Sequence, residues 1–486
     1  MILLIDMNAD LKQKTVKGVM WSLVQRFGVM IISFCANLVL ARLLTPDDYG
    51  VVGMLLIFIS ISNTFVDGGF GTALIQKKKP TQEDYSTIFF WNIAISVILT
   101  GILYFSSPFI SEFYRLPLLA DVLKVMGTVL IINAFSAVQT NVLQKNLEFK
   151  KLATINIIAN AAASILAIVL ALNGFGVWSL VLRYLSCSMV VSVILWITTK
   201  WKPTLTFKLE SFKTLGKFGI MVLLANLVET IYTEFQGLVI GKAFSAKTLG
   251  YYTQAKRLEE IPTSGISAAV NQASFPLYAQ LQNDKNALRS AVRKYIRALS
   301  YLVIPLYFIL IIIAESLINI LFTEKWNASV NLFRILCFIG MIYPLNTVNT
   351  NVIKSLGKGK LYFNLQLWKR VFGIILILLS VRYGLYAMMW ALVITAYAIF
   401  IVNALFSDKM IGYNWIRQIK DVLIPFAICI LLVCIVYPFS LLRIHTYCIA
   451  AIQAIAFALG YLTILKITKV NVVKDIVSQI KLFMSK

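Results

Sequence analysis

Apolar residues in this chain come in long runs, not in the period-2 or one-faced patterns that mark soluble strands and helices. Stretches of roughly 20 apolar residues recur from end to end, and about 18 or more is the length that carries an α-helix across bilayer hydrocarbon. Fourteen spans are read in this way, at about 16–41, 50–74, 86–106, 119–142, 152–172, 177–197, 216–241, 250–281, 297–322, 329–353, 361–381, 384–406, 420–440 and 444–466. The expected fold class is an all-α polytopic membrane protein with about 14 transmembrane helices. Two spans are unusually polar. The eighth carries IPTSGISAAVNQASFPLYAQL, where Pro262 and Pro276 predict interruptions, and the seventh contains Glu229 and Glu234.

Four spans place polar residues at helical spacing along one face. These are Ser22, Arg26, Ser33 and Asn37 in the first, and Ser60, Asn63, Asp67 and Gly71 in the second. The seventh has Asn226, Glu229, Thr233 and Gln236, with Glu234 beside them, and the eighth has Arg257, Glu260, Ser264, Asn271 and Tyr278. Arg26 lies about ten residues into its span, ~15 Å deep at 1.5 Å per residue. A charge at that depth is expensive and belongs to a bundle interior or a wet cavity. Lys369 and Arg370 lie similarly deep in the eleventh span.

The chain also repeats itself. LVLARLLTPDDYG (38–50) aligns without gaps with LVIGKAFSAKTLG (238–250), and FGVW (175–178) is echoed by YGLY (383–386). Both echoes join equivalent spans, so two six-helix halves running in the same direction are expected, related by an axis along the membrane normal. The expected organisation is a lobe over 1–200, a second over 201–410, and two further helices with a basic tail over 411–486. The four polar-faced helices are then two equivalent pairs.

Composition agrees with this picture, at 59% hydrophobic and 14% charged, with mean hydropathy +0.81. The net charge of +24 matters through its placement. Lysine and arginine cluster on alternate loops, including Lys77 to Lys79, Lys145 with Lys150 and Lys151, and Lys354 with Lys358 and Lys360. That alternation places both termini in the cytoplasm and gives no reason to invoke nucleic acid. The stretch QNDKNALRSAVRKYIR reads as a basic amphipathic segment on anionic lipid headgroups. The opening MILLIDMNADLKQK lacks a basic n-region and a long h-region, so no cleavable signal is expected.

Several chemistries are excluded. One histidine, His445, leaves no His-based metal site or Ser/His/Asp triad, so no metal is expected. The six cysteines lie in or beside apolar runs without a C-x-x-C and read as buried free thiols. There is no nucleotide-binding loop and no cofactor motif, so transport would draw on H+, Na+ or the membrane potential. Outer loops are short, leaving no external domain for a polysaccharide polymerase or ligase, and the chain is not read as an enzyme.

LARLLTPDDYGVVGM, DGGFGTALIQKKKPTQEDYSTIFFWNI, LQKNLEFKKLA, FGVWSLVLRYL and FTEKW together resemble the oligosaccharide flippases of the polysaccharide-biosynthesis (Wzx/WzxC-like) family, in the multidrug/oligosaccharidyl-lipid/polysaccharide exporter superfamily. The resemblance covers nearly the whole chain and is strongest up to about residue 200. Thr323 departs from it, standing where glycine is expected before Glu324-Lys325-Trp326.

The resemblance implies two lobes around a cavity lined by helices one, two, seven and eight, and alternating access in a bacterial cytoplasmic (inner) membrane. It also implies a cargo, an undecaprenyl-pyrophosphate-linked oligosaccharide moved outward for surface polysaccharide assembly. Partners would be that lipid, membrane lipids and other polysaccharide-assembly proteins, with a monomeric transporter. Against this cargo, Arg26, Arg257, Lys369 and Arg370 form the expected cationic substrate site, since a guanidinium fork engages two pyrophosphate oxygens and stays charged when desolvated. Ser33, Asn37, Asn63, Asn226, Thr233, Gln236, Ser264 and Asn271 form the polar lining. Asp67, Glu229, Glu234 and Glu260 are the ion-coupling or ion-pair residues. Two alternatives stay open: Arg26 pairing with Glu229 or Glu234, and Arg257 pairing with Glu260. A cation-coupled multidrug antiporter of the same superfamily is the competing function, and would favour an acidic cavity.

Overall fold

The computed structural model describes residues 9–441 and 446–468; His445 and the basic residues from 469 onward lie outside them. The described elements are helices, in the order α1 (Ala9–Leu43), α2 (Pro46–Asp67), α3 (Phe70–Gln76), α4 (Gln82–Tyr114), α5 (Leu118–Lys145), α6 (Phe149–Leu172), α7 (Val177–Thr198) and α8 (Leu209–Ala243). They continue with α9 (Ala246–Gln280), α10 (Lys285–Ile312), α11 (Ala314–Phe322), α12 (Ala328–Ser355), α13 (Gly359–Ser380), α14 (Leu385–Ile411), α15 (Trp415–Val436) and α16 (Thr446–Ile467), with short 3-10 turns after α11, α13 and α15. Among the described residues, thirteen stretches are long and apolar enough to cross a membrane. The chain is a multi-pass membrane protein.

The expected span without a counterpart among these thirteen is the eighth, α9. It has the length, at 35 residues, but its composition is too polar to count by hydropathy. It also corrects an expectation, because the helix runs unbroken through Pro262 and Pro276. Each proline removes one backbone donor, and neighbouring turns continue the helix. The basic segment after it forms the first turns of α10. There Arg293 and Arg297 reach Asp421 of α15, at 3.2 and 3.8 Å.

Helix starts follow the sequence closely. Thr45 and Thr81 begin α2 and α4 with the same device, T-x-x-D, in which the threonine hydroxyl accepts from the Asp48 or Asp84 N–H and the aspartate accepts in return from the threonine N–H. Asp84 also takes an ion pair from Lys77 at 2.6 Å. The glycine pair after α2 does more than permit close packing. Gly68 and Gly69 both adopt left-handed backbone, φ +55° and +68°, and break the second span into α2 and α3. A Cβ on Gly69 would collide with the carbonyl oxygen of Gly219 on α8, so the break also sets a close backbone approach.

The helices form two compact units, divided after Gly250. In the first, α1 packs on α6, α4 on α5, α7 on α5 and α6, and α8 on α2, α3 and α4. The segment before α8 is held to the start of α4: the Lys208 N–H donates to Thr87 Oγ1 at 3.0 Å, and Lys208 Nζ lies 2.5 Å from Glu83. Phe70, Leu74, Ile88, Phe89 and Leu215 form a core there, flanked by Trp91, Trp196, Trp201 and Phe212. In the second unit α12 packs on α10 and α14, and α15 and α16 pack on α10. Tyr461 of α16 donates to the Tyr301 carbonyl at 2.9 Å.

All six cysteines are unpaired, as expected, but only Cys337 and Cys429 are buried; Cys35, Cys434 and Cys448 lie on exposed faces. A thiol is apolar enough for a helix face that meets hydrocarbon, so an apolar run does not by itself place it inside.

Candidate functional site

Within the first unit, α2 and α8 flank an open, groove-like cavity of about 340 Å³ whose described lining residues are Asn63, Thr64, Asp67, Asn226, Glu229 and Thr230. Every lining side chain is an amide, a hydroxyl or a carboxylate. The Thr64 and Thr230 hydroxyls meet at 3.0 Å across the two helices, and Thr64 also faces the Ser60 carbonyl at 2.9 Å. Asn133 of α5 donates to Asn63 Oδ1 at 3.1 Å, which fixes that amide and leaves its NH2 free to donate. Asp67 is the last residue of α2 before the Gly68–Gly69 break, so the break sits at one edge of the cavity.

Four of these six residues, Asn63, Asp67, Asn226 and Glu229, stand in the polar stripes read from the sequence. Thr64 and Thr230 do not, although each directly follows a stripe residue. A groove between two helices takes adjacent positions from each, whereas a stripe at three-and-four spacing selects one position per turn.

The other expected residues are distributed as follows. Arg26 is exposed on α1 and, among the described residues, makes no hydrogen bond or ion pair. Ser33 is half-buried, and Asn37 is buried where its Oδ1 accepts from the Tyr49 hydroxyl at 2.9 Å, joining α1 to α2. On α8, Thr233 is exposed and donates to the Glu229 carbonyl at 2.9 Å, while Glu234 and Gln236 are half-buried.

In the second unit, Arg257 is half-buried, and the acid one turn on, Glu260, is approached instead by Lys256 at 3.8 Å. Ser264 is half-buried with its hydroxyl toward the Ile261 carbonyl, and Asn271 is exposed. Lys369 is only 9% exposed. Its ammonium donates to Asn403 Oδ1 of α14 at 2.5 Å, and Asn403 donates on to Asn346 Oδ1 of α12 at 3.0 Å. Arg370, the next residue, is half-buried. The 340 Å³ cavity therefore brings together acids, amides and hydroxyls, and none of the four cationic residues lines it.

One group escapes the sequence reading altogether. Glu259, beside Glu260, is buried at 5% exposure and meets the hydroxyls of Thr263 and Tyr307. Successive helical residues point about 100° apart. With polar residues on most sides of α9, the phase of the buried face is not readable from the pattern.

Known proteins share this architecture. The fold is that of a lipid II flippase, MurJ, in its inward closed conformation, at TM-score 0.75 over 94% of this chain and all of that one, with 15% identity. A multidrug resistance MATE family transporter of the MOP superfamily, inward-facing, matches at TM-score 0.63, covering 79% of this chain and 94% of that one at 17% identity. The class is thus the all-helical membrane-protein fold that these two share. In sequence, a family model described as polysaccharide biosynthesis protein matches residues 39–331, more than half the chain. The chain belongs to that family.

Relatives along nearly its full length include the teichuronic acid biosynthesis protein TuaB of Bacillus subtilis, 26% identical over 94% of this chain and 96% of that one. The succinoglycan biosynthesis transport protein ExoT of Rhizobium meliloti is 25% identical over 84% and 81%. The lipopolysaccharide biosynthesis protein WzxC of Escherichia coli is 22% identical over 74% of each chain.

Proposed function

We propose that this protein carries a lipid-linked oligosaccharide from the cytoplasmic to the external leaflet of a bacterial cytoplasmic membrane, for the assembly of a surface polysaccharide. The observation that carries the reading is the open cavity between α2 and α8, whose six lining residues among the described ones are all polar in a chain that is 59% hydrophobic. Hydroxyls, amides and carboxylates in alternation match the donors and acceptors of a sugar repeat unit. Arg26, deep in α1 and without a protein partner among the described residues, is the group for a pyrophosphate. Family membership and the names of TuaB, ExoT and WzxC support a role in polysaccharide biosynthesis, and that of ExoT a role in transport.

In this reading the lobes 1–200 and 201–410 alternate in exposing the cargo path, both termini are cytoplasmic and the transporter works as a monomer. Loading purified protein into proteoliposomes with a fluorescent undecaprenyl-pyrophosphate oligosaccharide tests it: the outward-leaflet fraction, read by quenching, should rise faster than in empty liposomes. Equal rates would refute the reading.

One observation favours a second function. Asp67 and Glu229 give the cavity two carboxylates and, among the described lining residues, no cation, which suits an organic cation and hence a multidrug antiporter. Drug efflux without oligosaccharide movement in the same liposomes would select it.

A further inference from the structure

Glu259 and Thr263 of α9 and Tyr307 of α10 form a closed polar cluster in the second unit. The Thr263 hydroxyl, one turn after Glu259, bonds Glu259 Oε1 and the Tyr307 hydroxyl. Glu259 is 5% exposed and Tyr307 is fully buried. Gly340 of α12 closes the remaining side, where a Cβ would collide with both Glu259 Oε1 and the Tyr307 ring. The absence of a side chain at 340 is therefore what makes room for the carboxyl.

The charged and titratable groups around it come from three helices. On its own helix are Lys256 and Glu260, which approach each other at 3.8 Å. Tyr307 comes from α10, and Cys337 and Tyr343 from α12. Among the described residues no lysine or arginine forms an ion pair with Glu259. A carboxylate held out of water without a cation costs several kcal/mol, and a bound proton removes that cost.

We propose that Glu259 binds one proton in the closed arrangement seen here and releases it when α9 moves away from Tyr307 and Gly340, so that proton movement is coupled to transport. This rests on reading the chain as a transporter. The chemistry is a single exchange: one carboxyl O–H bond forms with a proton taken from water, and later breaks to return that proton to water. Thr263 and Tyr307 are positioning residues that hold the carboxyl in place, while its burial away from water favours the neutral form.

The test uses the full-length protein in nanodiscs and proteoliposomes. Glu259→Gln keeps the shape and the hydrogen-bonding capacity but exchanges no proton. In wild type, pH-difference infrared spectra should contain a titrating protonated-carboxyl band that is missing in Glu259→Gln. Oligosaccharide movement should respond severalfold to an imposed pH gradient in wild type and not in the variant. A titrating band and a gradient response that both survive in Glu259→Gln would overturn the proposal.

Thr263→Val provides a second readout if the glutamine variant does not fold: it leaves the carboxyl but removes its hydroxyl partner, and should displace the titration midpoint of the band. An unmoved midpoint counts against the proposal. Wild type that shows the band but moves no oligosaccharide refutes the transport reading alone. Wild type that moves oligosaccharide without the band refutes the proton site alone.

Discussion

Gly50 and Gly250 are reciprocal contacts: a Cβ on Gly50 would run into the carbonyl of Ala246, and a Cβ on Gly250 into the carbonyl of Pro46. The two glycines end the two copies of the internal repeat, LVLARLLTPDDYG and LVIGKAFSAKTLG, and Pro46 and Ala246 are equivalent positions within them. The first turns of α2 and α9 thus cross backbone to backbone in a pseudo-symmetric contact, which only glycine allows at both positions. Gly50→Ala and Gly250→Ala should each destabilise the protein by about 1–3 kcal/mol, as small-to-large changes in tight packing do. Gly101→Ala on α4 is the control, since nothing lies within 4 Å of a Cβ there. Thermal unfolding of the purified variants in detergent measures all three, and an unchanged melting temperature for Gly50→Ala would contradict the crossing.

Thr323 gives a prediction of the opposite sign. It links α11 to the Glu324–Trp326 turn with φ +81° and ψ 168°, a region that glycine occupies and β-branched residues avoid. Trp326 in that turn is fully buried against Tyr251 and Phe322, so the turn is held by its packing. Thr323→Gly should raise stability by about 1 kcal/mol, net of the added freedom of the unfolded chain. Thermal unfolding reads this directly, and a lower melting temperature would show that the threonine side chain contributes a contact outweighing the strain.

These two sites show what the sequence makes legible. The spans and the repeat are readable because a bilayer forces every backbone group into a helix and leaves length and apolarity as the signal. The T-x-x-D caps at Thr45 and Thr81 are local devices, complete within four residues. Rotation about a helix axis is not local. Glu259 is buried and Glu260 exposed, and Lys369 is buried while Arg370 is half-buried, yet each pair is adjacent in a helix with polar residues on several sides. Only the packing partners, Tyr307 and Gly340 for Glu259 and Asn403 for Lys369, settle which of the two turns inward.

The cavity predicts two separable effects. Asn226 and Glu229 point into it from α8, and Asn63 and Asp67 from α2. Asn63→Ala and Asn226→Ala each remove one hydrogen-bonding group, a loss of about 1–1.5 kcal/mol or roughly tenfold in transport. Thr64→Val with Thr230→Val instead removes the hydroxyl contact between the helices and should lower stability by about 0.5–1.5 kcal/mol. Transport assays in proteoliposomes alongside unfolding curves distinguish these. A double valine variant that matches wild type in stability would show that the Thr64–Thr230 contact contributes nothing.

Lys369 tests whether a buried cation serves the fold or the cargo. Its ammonium is enclosed by Asn403, 1% exposed, at the meeting of α12, α13 and α14. Lys369→Ala removes the donor and leaves a cavity, and should cost about 2–4 kcal/mol. Lys369→Met fills the space without the charge and should recover most of that stability. If Lys369→Met folds like wild type and transports like wild type, the ammonium is a packing group. Normal stability with lost transport would instead assign it to the cargo.

Arg26 should behave in the reverse way. It is exposed on a helix that packs mainly against α6, and among the described residues it has no polar partner to lose. Arg26→Ala is therefore expected to leave stability within about 0.5 kcal/mol of wild type, as for other contact-free positions. If the guanidinium holds a pyrophosphate, the same variant should abolish oligosaccharide transport, with the protein present at normal levels in the membrane. Arg26→Lys keeps the charge but replaces a two-pronged donor with a point donor, so transport should return only in part. Full transport by Arg26→Ala would remove this residue from the cargo path. A marked loss of stability would instead show that Arg26 is held by another part of the protein at some stage of its cycle.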